Sequence, residues 1–280
     1  MVLDVTTFEK TSYALSGEAL TLDSDGLNIR VLLGAPMRGW IRRLAPPLWR
    51  PGVTFGSEQA AIRGAWTSLI AAVGGCANVV WLTPLERLFL RENKVLQAEI
   101  AQRLGIPTPP TVVCSHRDLI PSELGDELVV KPLGRAQYTD DGGTEQVVWT
   151  REITRDSPVL DLLVGAPFVV QTRLRAERHL RVVTVRDQSW VCELPAGELP
   201  IDWRRNEAAH DAFVVAEDHD VERDALRITD SLGVGYSSQD WIVSDGVANF
   251  LDLNPAGQWL FLPEPAASDI TSAIAKWLTP

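Results

Sequence analysis

"YSSQDWIVSDGVANFLDLNPAGQW", residues 236–259, decides how the rest of the chain is read. Apolar residues flank the turn signal Ser244-Asp245-Gly246, so the stretch predicts a β-hairpin. Asp240, Asp252 and Asn254 then stand where a hairpin hides its side chains. Asp252 and Asn254 are two residues apart and leave their strand by one face. A strict two-residue turn would put Asp240 on the face opposite to Asp252. A three-residue turn with Gly246 left-handed would put it opposite Phe250, diagonal to Asp252 on the same face, and this second register is the expected one. Two carboxylates and an amide oxygen gathered there suit a hard cation such as Mg²⁺. Local turn capping by the same three side chains is the other reading.

The 280 residues suffice for a sizeable core, as one large domain or two to three small ones. A hydrophobic share of 45% against 22% charged is that of an ordinary soluble globular chain. A net charge of −11 argues against coating of nucleic acid or a basic membrane surface, and leaves room for a local basic groove. The start "MVLDVTTFEK" lacks the basic and apolar regions of a signal peptide, and no stretch reaches the ~18 apolar residues of a membrane span. Cys76, Cys114 and Cys192 lack metal spacing and read as reduced core thiols. The expectation is a cytoplasmic protein with neither a nucleic acid nor a membrane as partner.

Short strands around "LDSDG" (22–26) open the chain, and Pro36, Pro46, Pro47 and Pro51 keep the next stretch irregular. Helical spacing from Ser57 to Val73 has Ser57 as N-cap and Gly74-Gly75 as stop. A second helix is expected from Leu85 to Leu104, ended by Gly105 and Pro107. "TVVCS", "ELVVKPL" and "EQVVWT" read as strands; "PFVVQTRL", "RVVTVRD" and "SWVCELP" read as three consecutive antiparallel ones. Helices follow at 217–232 and at "SDITSAIAKWL", the last capped by Ser268. Runs of strands with interspersed helices give an α+β class.

Lys131 ends the apolar run "LVVK", where a cation needs an anionic partner, and Lys94 lies in "ENKVLQ". Arg173, Arg175, Arg178, Arg181 and Arg186 suggest a surface for carboxylate or phosphate, or equally a solvated face balanced by nearby acids. "DWRRN" (202–206) adds Arg204 and Arg205.

With these parts in order, the chain resembles the ATP-grasp superfamily of carboxylate–amine ligases. It is most similar to the ligases that install side-chain ester and amide cross-links in ribosomal peptides, the graspetide or microviridin-type maturases. The matching stretches run from "WIRRLAPPLW" through "WLTPLERLFLRENKVLQAEIAQRLGIPTPPTVV", "LVVKPL" and "VVQTRLRAERHLRVVTVRD" to "LGVGYSSQDWIVSDGVANFLDLNPAGQWLFL", about residues 38 to 280.

The resemblance implies two α+β subdomains that clamp ATP, at 85–168 and 169–280, after a shortened pre-ATP-grasp domain at 1–84. It implies ATP phosphates on Lys94 and Lys131, an adenine hinge including Gln171, Thr172 and Leu174, and Mg²⁺ on Asp240, Asp252 and Asn254. Arg204, with Arg181 as second candidate, would steady the transferred phosphoryl group and the tetrahedral intermediate. Many relatives carry Glu at the position of Asp252. Where they place an acid for the ribose hydroxyls this chain has His179, with Glu177 as substitute. The phosphate-covering loop "GRAQYTDDGG" is acidic. The implied partner is a ribosomal precursor peptide with a leader and an acidic core, recruited through the arginine-rich stretch; a homodimer is the implied assembly. The activity would be carboxylate activation by ATP and ester or amide closure. A RimK-like ligase that adds an amino acid to a small molecule or protein, and a catalytically inactive peptide-binding scaffold, are the alternatives.

Overall fold

The computed structural model describes residues 12–16, 19–24, 27–32, 35–42, 56–133, 137–139, 144–162, 167–197, 199–203 and 206–279. Three short strands, β1 (Ser12–Leu15), β2 (Ala19–Ser24) and β3 (Leu27–Leu32), form an antiparallel sheet at the start. Strand β4 (Met37–Gly39) leads to helix α1 (Glu58–Gly74), whose N-cap Ser57 accepts the Ala60 N–H as expected. Strand β5 (Val79–Trp81) pairs in parallel with β4.

The expected single helix over 85–104 is two: α2 (Leu85–Arg91) and α3 (Lys94–Arg103). Asn93 accounts for the break. Its side chain accepts the N–H groups of Val95 and Leu96, which starts a new helix and places Lys94 at its first residue.

The next elements are β6 (Thr111–Cys114), β7 (Glu127–Pro132), β8 (Gln137–Thr139), β9 (Glu145–Val147), β10 (Arg151–Thr154), α4 (Val159–Leu162) and β11 (Phe168–Thr172). Four of them form a sheet in the order β10-β7-β11-β6, and β8 pairs with β9. β12 (Arg178–Val185), β13 (Gln188–Pro195), β14 (Val214–Ala216), α5 (His219–Leu232), β15 (Tyr236–Ser244), β16 (Val247–Asn254) and α6 (Ala266–Leu278) complete the chain. Their strands make a five-stranded sheet, β14-β13-β12-β15-β16.

Three expectations are corrected. β11 does not pair with β12: it lies between β7 and β6 in the other sheet, because the Arg173–Ala176 connector crosses between the sheets. The 168/169 boundary therefore cuts a strand, and the four-stranded lobe extends through Thr172. Helix α6 begins at Ala266 after Pro265, so Ser268 lies inside its first turn and is no cap.

The five-stranded sheet is buried on both faces. Leu180, Val182, Val191, Trp241, Val243 and Phe250 pack under α5 and α3. Val183, Val185, Cys192, Leu194 and Tyr236 pack against Trp259, Ile270 and Ile274 on and near α6. The four-stranded sheet packs Leu128, Val130, Phe168 and Val170 into its own core on one face, and its other face, with Val129, Lys131, Val169 and Gln171, turns to a cleft. Among the described residues no helix is long and apolar enough to cross a membrane.

Candidate active site

Strand alternation decides which side chains meet. On β12, His179, Arg181, Val183 and Val185 share a face, and the register places Asp240 beside Arg181 and Ile242 beside His179. The β15–β16 hairpin turns on two residues, with Ser244 paired to Val247, and not on the expected three. Asp245 (φ 51°) and Gly246 (φ 71°) both take the left-handed conformation that such a turn requires and that Asp and Gly tolerate best. An extra residue, Leu251, then bulges out of β16, so that Trp241 pairs with Phe250 but Asp240 pairs with Asp252. Asp240 was expected opposite Phe250; the bulge brings it directly against Asp252 instead. Bulges beside active sites commonly re-aim a side chain in this way.

The other wall comes from the four-stranded sheet. Lys131 and Val129 lie opposite Val169 and Gln171, on the face turned away from that lobe's core. A cleft of about 620 Å³ lies between the walls. Lys94, Lys131, Gln171, Thr172, Leu174, His179, Asp240 and Asp252 all line it. An adjoining cleft of about 650 Å³ shares Lys94, Lys131 and Gln171 and runs along α3 and the 105–110 segment.

Lys94 brings a cation to a helix N-terminus, where the backbone N–H groups already favour an anion. The Gln171 amide donates to the Thr111 hydroxyl at 2.7 Å, and the Thr172 hydroxyl donates to the Leu124 carbonyl. Thr172 therefore faces the cleft with its backbone. Arg181 is buried, bridges to Asp240 at 3.1 Å, donates to the Ser238 hydroxyl at 3.0 Å and lies over the rings of Trp203 and Phe261. Gly257 lets the chain after β16 approach this site: a Cβ there would collide with that of Ser238. His179 is buried, and burial pushes its imidazole pKa below the ordinary value.

Other sequence candidates lie elsewhere. Glu177 is exposed outside the cleft and accepts the Gly246 N–H, so it does not substitute for an acid at His179. Asn254 pairs with Ser238 on the carboxylate face, but it is exposed and its Oδ1 accepts the Ala256 N–H at 2.8 Å, the capping role. Arg204 lies outside the described residues, as does most of the "GRAQYTDDGG" loop. The arginine-rich stretch is not one surface. Arg178 and Arg181 point to opposite faces of β12. Arg173 pairs with Glu127 and Glu152, Arg175 with Glu127, Arg178 with Glu193, and Arg181 with Asp240.

Directly opposed carboxylates are unfavourable, since their Cβ atoms stand ~5 Å apart. Arg181 offsets one charge, and oxygen donors on both strands fit a hard cation with phosphate or water completing its shell. Among the described residues no group of three or more His, Cys, Asp or Glu side chains forms a metal cage. Sequence reasoning missed Asp202, Trp203 and Trp149, which also line the cleft. Asp202 and Trp203 are buried, and their only signal was their place in "DWRRN" beside the chosen Arg204.

No family model matches the chain, and neither does any curated protein. Solved structures do. The macrocyclase MdnC from Microcystis aeruginosa MRC, bound with precursor peptide MdnA, superposes with a TM-score of 0.81 at 20% identity, over 99% of this chain and 89% of that one. A Chryseobacterium gregarium RiPP-associated ATP-grasp ligase in complex with ADP and a leader and core peptide gives 0.82 at 21% identity, over 99% and 87%. ATP-grasp ligase PsnB complexed with a minimal precursor gives 0.71 at 18% identity, over 98% and 89%. The likeness shows that the chain has the ATP-grasp fold.

Proposed function

We propose that this chain is a cytoplasmic ATP-dependent ligase that activates a side-chain carboxylate of a ribosomal precursor peptide and closes it into an ester or amide cross-link. The observation that carries this reading is that Lys94, Lys131, Asp240 and Asp252 all line a single cleft, with Lys131 on one wall and the two carboxylates on the other. The fold shared with peptide-bound ligases supports it.

Lys94 and Lys131 would neutralise the triphosphate. Asp240 and Asp252 would hold Mg²⁺, which screens phosphate oxygens from an approaching carboxylate. At ~4 Å two like charges repel by roughly 4 kcal/mol at a partly buried site, so these cations decide whether the approach happens. The peptide carboxylate attacks the γ-phosphorus, ADP leaves, and a hydroxyl or amine then displaces phosphate from the acyl carbon. Arg181, and Arg204 by resemblance, would donate to the developing oxyanion. Activation requires a carboxylate, which is why an acidic core is the fitting substrate.

The test is mass spectrometry of a precursor peptide encoded beside this gene, incubated with the protein, ATP and Mg²⁺. Loss of one water per bond, dependent on ATP, is expected. Addition of a free amino acid instead would support the RimK-like alternative. Absence of any thermal stabilisation by Mg·ATP, against ~2.7 kcal/mol expected at 100 times the dissociation constant, would support the inactive scaffold.

A further inference from the structure

The helix that carries Lys94 is joined to the strand that carries Asp252 by a side chain that neither faces the cleft nor carries charge. Gln97 is one helical turn after Lys94 in α3 and is 1% exposed. Its Oε1 accepts the Leu253 N–H at 2.9 Å, and its Nε2 donates to the Leu253 carbonyl at 2.7 Å. The same Nε2 donates to the Arg91 carbonyl at 2.5 Å, across the break between α2 and α3. The carboxamide thus completes the outer edge of β16 as a neighbouring strand would. Leu253 lies between Asp252 and Asn254, whose side chains leave by the opposite face. A second tether, from the Phe250 N–H to the Pro107 carbonyl at 2.9 Å, holds the same edge on the far side of Leu251.

We infer that Gln97 is a positioning residue: it pins the helix that carries Lys94 to the strand that carries Asp252, and so fixes the span between the phosphate-binding and metal-binding sides. This inference rests on the ligase reading above. The backbone of an edge strand needs both a donor and an acceptor at one position. Of the uncharged side chains, only a carboxamide offers both at the separation of a peptide unit, and Asn is one carbon too short from this helix. A Lys94 that drifted by an ångström would still neutralise charge, but not at the place where the carboxylates set the metal.

The experiment measures binding of Mg·AMPPNP to Gln97→Met, which keeps length and volume and loses both polar groups. Circular dichroism checks that the variant is folded at the assay temperature. The dissociation constant is expected to rise by about 10-fold or more, as when residues behind a metal ligand are removed. In a Lys94→Ala background the same change should add less than about twofold, because the two residues act through one contact. A merely structural Gln97 would lower the melting temperature while leaving the dissociation constant alone, or would add its full effect to that of Lys94→Ala; either result overturns the inference. If Gln97→Met does not fold, Gln97→Glu keeps the acceptor and turns a carboxylate on two carbonyls, and wild-type affinity in that variant overturns it equally. Failure of the wild-type protein to bind Mg·AMPPNP would sink the ligase reading and this inference with it, an outcome distinct from a binding wild type beside an unaffected variant.

Discussion

One face of the five-stranded sheet carries Val183, Val185 and Tyr236 at one end and His179, Arg181, Asp240 and Asp252 at the other. Both ends follow the same two-residue alternation. They differ in what covers them: Trp259, Ile270 and Ile274 close the first, while the second opens on the cleft. On the proposed reading the covered end serves stability and the open end chemistry, so substitutions at the two ends should fail in different ways.

The largest contrast is Val183→Asp against Asp252→Asn. Val183 is 0% exposed, so an unpaired carboxylate there should cost more than about 3 kcal/mol and leave the protein unfolded or poorly soluble, as seen by circular dichroism. Asp252→Asn should keep or slightly raise the melting temperature, because it removes the repulsion with the directly opposed Asp240. Its peptide dehydration rate should fall on the order of 100-fold, the scale on which loss of a preorganised charge is felt. A stable Val183→Asp or a fully active Asp252→Asn would erase the distinction between the ends.

Arg181 sits at the seam, and its replacement should affect both properties. Arg181→Met leaves Asp240 without its 3.1 Å partner, a loss of about 3 kcal/mol for a pair this buried. The loss should shrink when Mg·ADP is added, since a bound cation would compensate the same carboxylate. Calorimetric melts with and without Mg·ADP read both numbers. An equal loss in the two conditions would mean that no cation reaches Asp240. Smaller again is Lys131→Met, on the opposite wall. It should weaken Mg·ATP about 10-fold, or 1.4 kcal/mol, with the melting temperature of the free protein little changed.

The polar end was legible in the sequence because Asp240, Asp252 and Lys131 interrupt apolar strands, where a charge is costly unless an opposite charge or a cation meets it. The route by which the acids meet was not. A bulge at Leu251 leaves no signal in a run such as "ANFLDLN", and a two-residue turn plus a bulge gives the same facing as a three-residue turn. The break before Lys94 was readable from Asn93, a capping residue inside an otherwise continuous helical pattern. Gln97 and Asp202 were invisible because a buried amide or carboxylate is recognised by long-range partners, and Leu253 lies 156 residues from Gln97. The arginine-rich stretch stayed undecided between a binding surface and a face balanced by acids for the same reason: the acids that pair with it are Glu127, Glu152, Glu193 and Asp240, none of them adjacent to it.

His179 gives the finest test, because it lines the cleft and is nevertheless buried. Burial lowers its pKa in the folded state, while the unfolded chain regains the ordinary imidazole value near 6.5. The unfolded state therefore binds the proton first as pH falls, and stability declines with acidification below that ordinary value; above it the contribution is fully present. His179→Asn keeps a polar group and removes the titration. Its melting temperature should fall less steeply than that of the wild type between about pH 7 and pH 5, the window set by imidazole. Parallel curves would mean that the imidazole is hydrated enough to charge at its usual pH, as a fully open end would allow.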